Sequence, residues 1–130
     1  MQPKYRVLVV DDDPQISSII RDILAGCNRY EITLCATGYE ALDCVKSAPV
    51  DCVVLDLCLP GINGFRTLRL MREIQPDIAV IFLSAFVEQL REQLDEHTIP
   101  RVRGCIGKPF PIDELKELVL SAVAVGSETE

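Results

Sequence analysis

Val53-Val54-Leu55-Asp56-Leu57-Cys58-Leu59-Pro60-Gly61-Ile62-Asn63-Gly64 begins as an apolar run and halts at a carboxylate. Pro60, Gly61 and Gly64 punctuate the stretch after Asp56, so the chain turns there. An apolar strand followed by a turn places Asp56 at the mouth of a sheet. Val7-Leu8-Val9-Val10 has the same form and ends in Asp11-Asp12-Asp13. Ala79-Val80-Ile81-Phe82-Leu83 ends in Ser84, and a weaker run ends near Lys108. Four strand ends thus bring carboxylates, a hydroxyl and an ammonium to one edge of a parallel sheet, the edge where open α/β sheets bind ligands. Clustered carboxylates disfavour their own ionisation and call for a cation. An all-oxygen site of this kind suits Mg²⁺, which takes one or two carboxylates and keeps waters for a phosphate.

Strand and helix signals alternate from end to end, so the expected class is α/β with a parallel sheet. The first strand spans Arg6 to Val10; Asp13 suits a helix cap and Pro14 the first helical position. Ile16, Ile19, Ile20, Ile23 and Leu24 recur at helical spacing up to Gly26. Glu31 to Cys35 alternates polar and apolar, as an edge strand does. The second helix is expected over Tyr39 to Ser47, the third strand over Cys52 to Leu55. The third helix is expected over Phe65 to Ile74, with Phe65, Leu68, Met71 and Ile74 inward. A polar fourth helix carries Val87, Leu90 and Leu94. Arg101 to Ile106 alternates again, and a fifth helix turns Ile112, Leu115, Leu118, Val119, Ala122 and Val123 to one side. Two alternating strands should flank three buried ones. With right-handed crossovers, the order 2-1-3-4-5 satisfies this and matches flavodoxin-like folds: a (βα)5 three-layer sandwich whose switch point lies between strands one and three. Residues 1–125 are expected to form this one domain, and 126–130 a frayed tail or the start of a linker.

With 130 residues the chain can build one core, and 48% hydrophobic with 25% charged residues is ordinary for a soluble globular protein. No apolar run approaches the roughly 18 residues of a membrane span, and no leader pattern appears at the N-terminus; a cytoplasmic location is expected. The net charge of -7 argues against nucleic-acid binding by this domain. Six cysteines lack C-x-x-C pairs and zinc spacing. They read as reduced thiols acting as small hydrophobes.

The motifs Asp11-Asp12-Asp13-Pro14, Leu55-Asp56-Leu57-x-Leu59-Pro60-x-x-x-Gly64, Leu83-Ser84-Ala85 and Gly107-Lys108-Pro109-Phe110 come in this order along the chain, each at an expected strand end. Together they resemble the receiver domain of two-component response regulators over essentially the whole chain. The resemblance implies that Asp56 is the phosphoacceptor, that Asp12 and Asp56 contact Mg²⁺ directly and Asp11 through water, and that the backbone carbonyl of Cys58 adds a ligand. It implies that Ser84 donates to a phosphoryl oxygen, that Lys108 pairs with Asp56 and then with the phosphoryl group, and that the Lys108–Pro109 bond is cis. Asp13 is left as a cap. His97 is assigned no role. The implied partners are a histidine kinase or phosphotransfer protein, with homodimerisation through the face of the fourth helix, fifth strand and fifth helix; no membrane partner is implied. Leu59 stands where the family usually has Met. Cys105 replaces a usual aromatic, and the segment between Ser84 and Lys108 lacks the usual Gly-Ala signature and carries Pro100. These departures bear on the output surface, not on the chemistry at Asp56.

Two other readings compete. A haloacid-dehalogenase-type phosphatase also wants Asp-x-Asp after its first strand, here Asp11 and Asp13. It needs a further acidic pair at a later strand end, however, offers only Asp113-Glu114 on an expected helix, and leaves Asp56 unexplained. A degenerate receiver acting only as a binding module is disfavoured by the intact acids, Ser84 and Lys108. A receiver is a phosphoacceptor that catalyses its own phosphorylation and dephosphorylation, not a turnover enzyme.

Overall fold

The computed structural model describes residues 4–86 and 101–128. Its elements are β1 (Tyr5–Val10), α1 (Pro14–Ala25), β2 (Tyr30–Cys35), α2 (Gly38–Ser47), β3 (Cys52–Asp56), α3 (Gly64–Ile74), β4 (Ala79–Ser84), β5 (Val102–Gly107) and α4 (Ile112–Glu128). The helix here called α4 is the fifth one expected from the sequence. The expected fourth helix, with His97 and Pro100, lies outside the described residues. Among the described residues no helix is long and apolar enough to cross a membrane.

All strand pairs are parallel and the order is β2-β1-β3-β4-β5. The inner strands β3 and β4 are buried at every residue, whereas the flanking β2 and β5 are only partly covered. That contrast is what a parallel sheet covered on both faces requires. Alternate residues point to opposite faces. Leu8, Val10, Val53, Leu55, Val80 and Phe82 pack with Ala41 and Val45 of α2 and Leu68 and Met71 of α3. Val7, Val9, Val54, Ile81 and Leu83 pack with Ile20 and Leu24 of α1 and Leu115, Val119, Ala122 and Val123 of α4. The result is three layers, helices on either side of one sheet.

Local chemistry sets the helix starts. Asp13 accepts from the Gln15 N–H, Thr37 from that of Glu40 and Asn63 from that of Arg66. Each satisfies a donor that the first turn leaves unpaired. α4 runs on to Glu128, into the stretch expected to form a tail.

Several apolar residues expected inward stand at the rim instead. Ile19, Phe65, Ile74 and Ile112 are all exposed. On α3 the buried line is Gly64, Thr67, Leu68 and Met71, a stripe at three- and four-residue spacing that leaves both expected ends outside it. Phe65 still meets Phe82, with ring centroids 5.3 Å apart. Of the cysteines, Cys52 and Cys105 are buried in the layers and Cys58 is exposed. Burial pushes the Cys52 thiol up to about 12. Burial first and the neighbouring Cys44 second do the same to Cys35.

Candidate functional site

The side chains that the resemblance assigns to the site stand at the C-terminal edge of the sheet. Asp11 and Asp12 follow β1, Asp56 is the last residue of β3, Ser84 the last of β4, and Lys108 follows β5. Register fixes their level: Val10 pairs with Leu55, Asp56 with Leu83, and Ser84 with Gly107. Backbone bonds stitch the ends together, Leu57 N–H donating to Leu83 O at 3.2 Å and Lys108 N–H to Ser84 O at 3.0 Å. The Lys108–Pro109 peptide is cis, as the resemblance implied.

Ligand oxygens of Asp11, Asp12 and Asp56 all lie within 4.8 Å of one another. Asp11 and Asp56 are buried, 2% and 3% exposed, while Asp12 opens to solvent. The Lys108 ammonium sits between the two buried acids, 2.8 Å from Asp11 Oδ2 and 3.0 Å from Asp56 Oδ2. The Asp56 contact is an aligned hydrogen bond. Asp11 Oδ2 meets the ammonium as an ion contact without that alignment, which leaves this buried oxygen short of a hydrogen bond. The other oxygens are held by backbone: Asp11 Oδ1 accepts from Asp13 N–H at 2.9 Å, and Asp56 Oδ1 from Cys58 N–H at 3.0 Å. Ser84 Oγ accepts from Phe86 N–H at 2.9 Å, so its own proton remains for another acceptor.

Three carboxylates against one ammonium leave an excess of two negative charges. Burial lowers the Lys108 ammonium, but its close contacts with Asp11 and Asp56 and their charges outweigh it and hold the group above its ordinary value. Burial pushes Asp11 up and the charge of Asp56 adds to this; Lys108 and the Asp13 N–H offset only part. The folded chain therefore binds the Asp11 proton more tightly than the unfolded one. Stability drains away as pH climbs from the ordinary carboxylate value of ~3.9 through the raised folded one. Asp11→Asn keeps an oxygen for the Asp13 N–H and removes the charge. With a chelator present it is expected to raise the melting temperature at neutral pH, the gain fading below about pH 4. A lower melting temperature at pH 7 would mean that attraction to Lys108 outweighs burial.

Two supporting roles escaped the sequence reading. Ser17, buried within the apolar stripe of α1, donates its hydroxyl to Asp11 O at 3.2 Å; a polar residue inside such a stripe was the available signal. Gly64, read as a turn and as the close of the Asp56 motif, lets α3 start against the end of β3. A Cβ there would lie 2.6 Å from Asp56 O and 2.8 Å from Leu57 Cα, both backbone atoms. Gly64→Ala is therefore expected to destabilise the fold by about 1–3 kcal/mol in chemical denaturation. Unchanged stability would show that α3 slides outward freely. Asp13 serves as the α1 cap. Asp113 and Glu114, the pair a phosphatase reading needs, stand in the first turn of α4. They are absent from the acidic cluster found among the described residues.

Residues 7–120 match the family model of the response regulator receiver domain. The chain belongs to that family. This receiver is 34% identical over 113 residues to the response regulator MprA of Mycolicibacterium vanbaalenii, covering 85% of the chain and 46% of that protein. It thus spans about half the length of the MprA relatives it matches. It is 31% identical over 114 residues to sporulation initiation phosphotransferase F of Bacillus subtilis, covering 88% of the receiver and 90% of that protein. Among solved structures, response regulator TrrA of Thermotoga maritima in complex with Mg(2+)-BeF superposes with a TM-score of 0.77 at 34% identity. That match covers 91% of the receiver and 98% of TrrA.

Proposed function

We propose that this receiver accepts one phosphoryl group on Asp56 from a histidine kinase or phosphotransfer protein, in a Mg²⁺-dependent reaction. The observation that carries the reading is the Lys108 ammonium bridging Asp11 and Asp56 at 2.8 and 3.0 Å. It pairs a buried carboxylate with a cation at the mouth of the sheet, where a donor can reach it. An Asp56 oxygen attacks phosphorus in line; the new O–P bond forms as the donor's P–N bond breaks and its electron pair leaves with the imidazole. The product is an acyl phosphate. Lys108 follows the negative charge from the carboxylate to the phosphoryl oxygens, and the free proton of Ser84 is donated to one of them.

The donor set fits a hard divalent cation: all oxygen, an excess of negative charge, and one buried Asp11 oxygen short of a hydrogen bond. Asp12, Asp56 and the Cys58 carbonyl would hold Mg²⁺ directly and Asp11 through water. Bound there, it supplies neutralisation of the phosphoryl oxygens. The complex of TrrA with Mg(2+)-BeF supports this choice of metal.

The receiver is a single-turnover acceptor in the cytoplasm, with 1–125 as its domain and 126–130 as a tail or linker. Its output face comprises the fourth helix of the sequence reading, β5 and α4, through which it switches partners or pairs with a second copy. Acetyl phosphate with Mg²⁺ tests the chemistry: intact mass should show one added phosphoryl group per chain, and an aryl phosphate should not be turned over. Many equivalents of aryl phosphate hydrolysed would establish the phosphatase reading instead; no adduct would leave only a binding module.

A further inference from the structure

Cys35 ends β2 and Cys44 lies on α2, and their Sγ atoms are 3.7 Å apart. Both are free thiols. A disulfide needs a separation of about 2.05 Å, so closure is a matter of a short side-chain movement between sulfurs already in van der Waals contact. We propose that Cys35 and Cys44 are a redox-active pair that closes to an intramolecular disulfide on meeting a small disulfide such as oxidised glutathione.

Burial assigns the order of events. Cys35 is 2% exposed, whereas Cys44 is half-buried and is the more accessible residue of the two. The Cys44 thiolate, its proton lost to water, attacks one sulfur of oxidised glutathione. The S–S bond breaks and one glutathione leaves as thiolate, giving a mixed disulfide at Cys44. Cys35 Sγ then attacks the Cys44 sulfur; the second glutathione leaves and takes up the Cys35 proton. Two protein thiols are oxidised and one small disulfide is reduced to two thiols. Cys52 takes no part because it is sealed in the sheet, and Cys58 stands apart from the pair, in the loop after Asp56.

The location gives the bridge a consequence. The carbonyl of Cys35 accepts the Asp11 N–H at 3.0 Å. Cys35 also joins Asp11, Asp12, Ser17 and Glu40 in lining a cavity of about 280 Å³. The bond therefore fastens α2 to the wall of the acidic site through one residue.

The sequence makes the test direct. No Lys or Arg separates Arg29 from Lys46, so one tryptic peptide, 30–46, carries both cysteines. The folded full chain is incubated with oxidised glutathione, alkylated, digested and weighed. The expected result is a 30–46 peptide two hydrogens lighter than the reduced one and bearing no alkyl group. Cys35→Ala should trap glutathione on Cys44, and Cys44→Ala should leave Cys35 unmodified. A wild-type peptide with two alkyl groups, glutathione retained on wild-type Cys44, or glutathione found on Cys35 would each overturn the proposal. The wild type and Cys44→Ala decide it even if replacing the buried Cys35 impairs folding.

Discussion

Asp56→Asn is expected to abolish phosphoryl incorporation. With acetyl phosphate and Mg²⁺ the wild type gains one phosphoryl group by intact mass, and the variant gains none. The substitution is nearly isosteric, so the hydrogen bond from the Cys58 N–H to Oδ1 can persist. The amide has no anionic oxygen to offer phosphorus, however, and it weakens the pairing that Lys108 makes at 3.0 Å. Because the surrounding strand is buried on both faces, a melting curve close to that of the wild type would show that the loss is chemical. Labelling of the variant at the wild-type level would move the acceptor elsewhere and sink the assignment of Asp56.

Asp12→Ala and Lys108→Ala should separate metal binding from charge balance. Asp12 is the solvent-facing member of the acidic trio, and its removal deletes a proposed direct ligand. Loss of even an outer-shell partner typically weakens metal binding by about 10–100-fold, so a drop of at least about tenfold in Mg²⁺ affinity is expected from Asp12→Ala. Lys108→Ala deletes a positive charge from the same pocket, so calorimetry should show equal or tighter Mg²⁺ binding even as labelling of Asp56 slows. The reverse ranking would mean that the two roles have been exchanged.

The architecture was legible because its signals are one-dimensional. Uninterrupted apolar runs in β3 and β4 marked the interior, and alternation at Glu31–Cys35 and Arg101–Ile106 marked the edges. Asp11, Asp56, Ser84 and Lys108 were legible because each ends a run, so their convergence needs only the parallel sheet. Helix faces were less so. Phe65 and Ile74 lie far enough round α3 that periodicity alone placed them inward, while the true line runs through Gly64 and Thr67. The meeting of Cys35 with Cys44 and the close approach at Gly64 depend on how β2, α2, β3 and α3 lie against one another in space. No local pattern encodes those distances. Cys105, which stands where the resembled family usually has an aromatic, is buried in the layer that holds Phe82.

The loop after Asp56 is closed at its base. Gly64 N–H donates to Leu57 O at 3.2 Å, while Leu57 N–H is held by β4. Pro60 and Gly61 stand exposed at its tip, Gly61 in a left-handed conformation at φ +82. The footprint of the loop on the sheet is thus set by its two ends and by the buried Leu59 and Ile62, which leaves only the tip unconstrained. For an engineer this makes the tip an exchangeable cassette: with Gly61 retained, its sequence can be rewritten to court a different phosphodonor while the carboxylate beneath stays where it is.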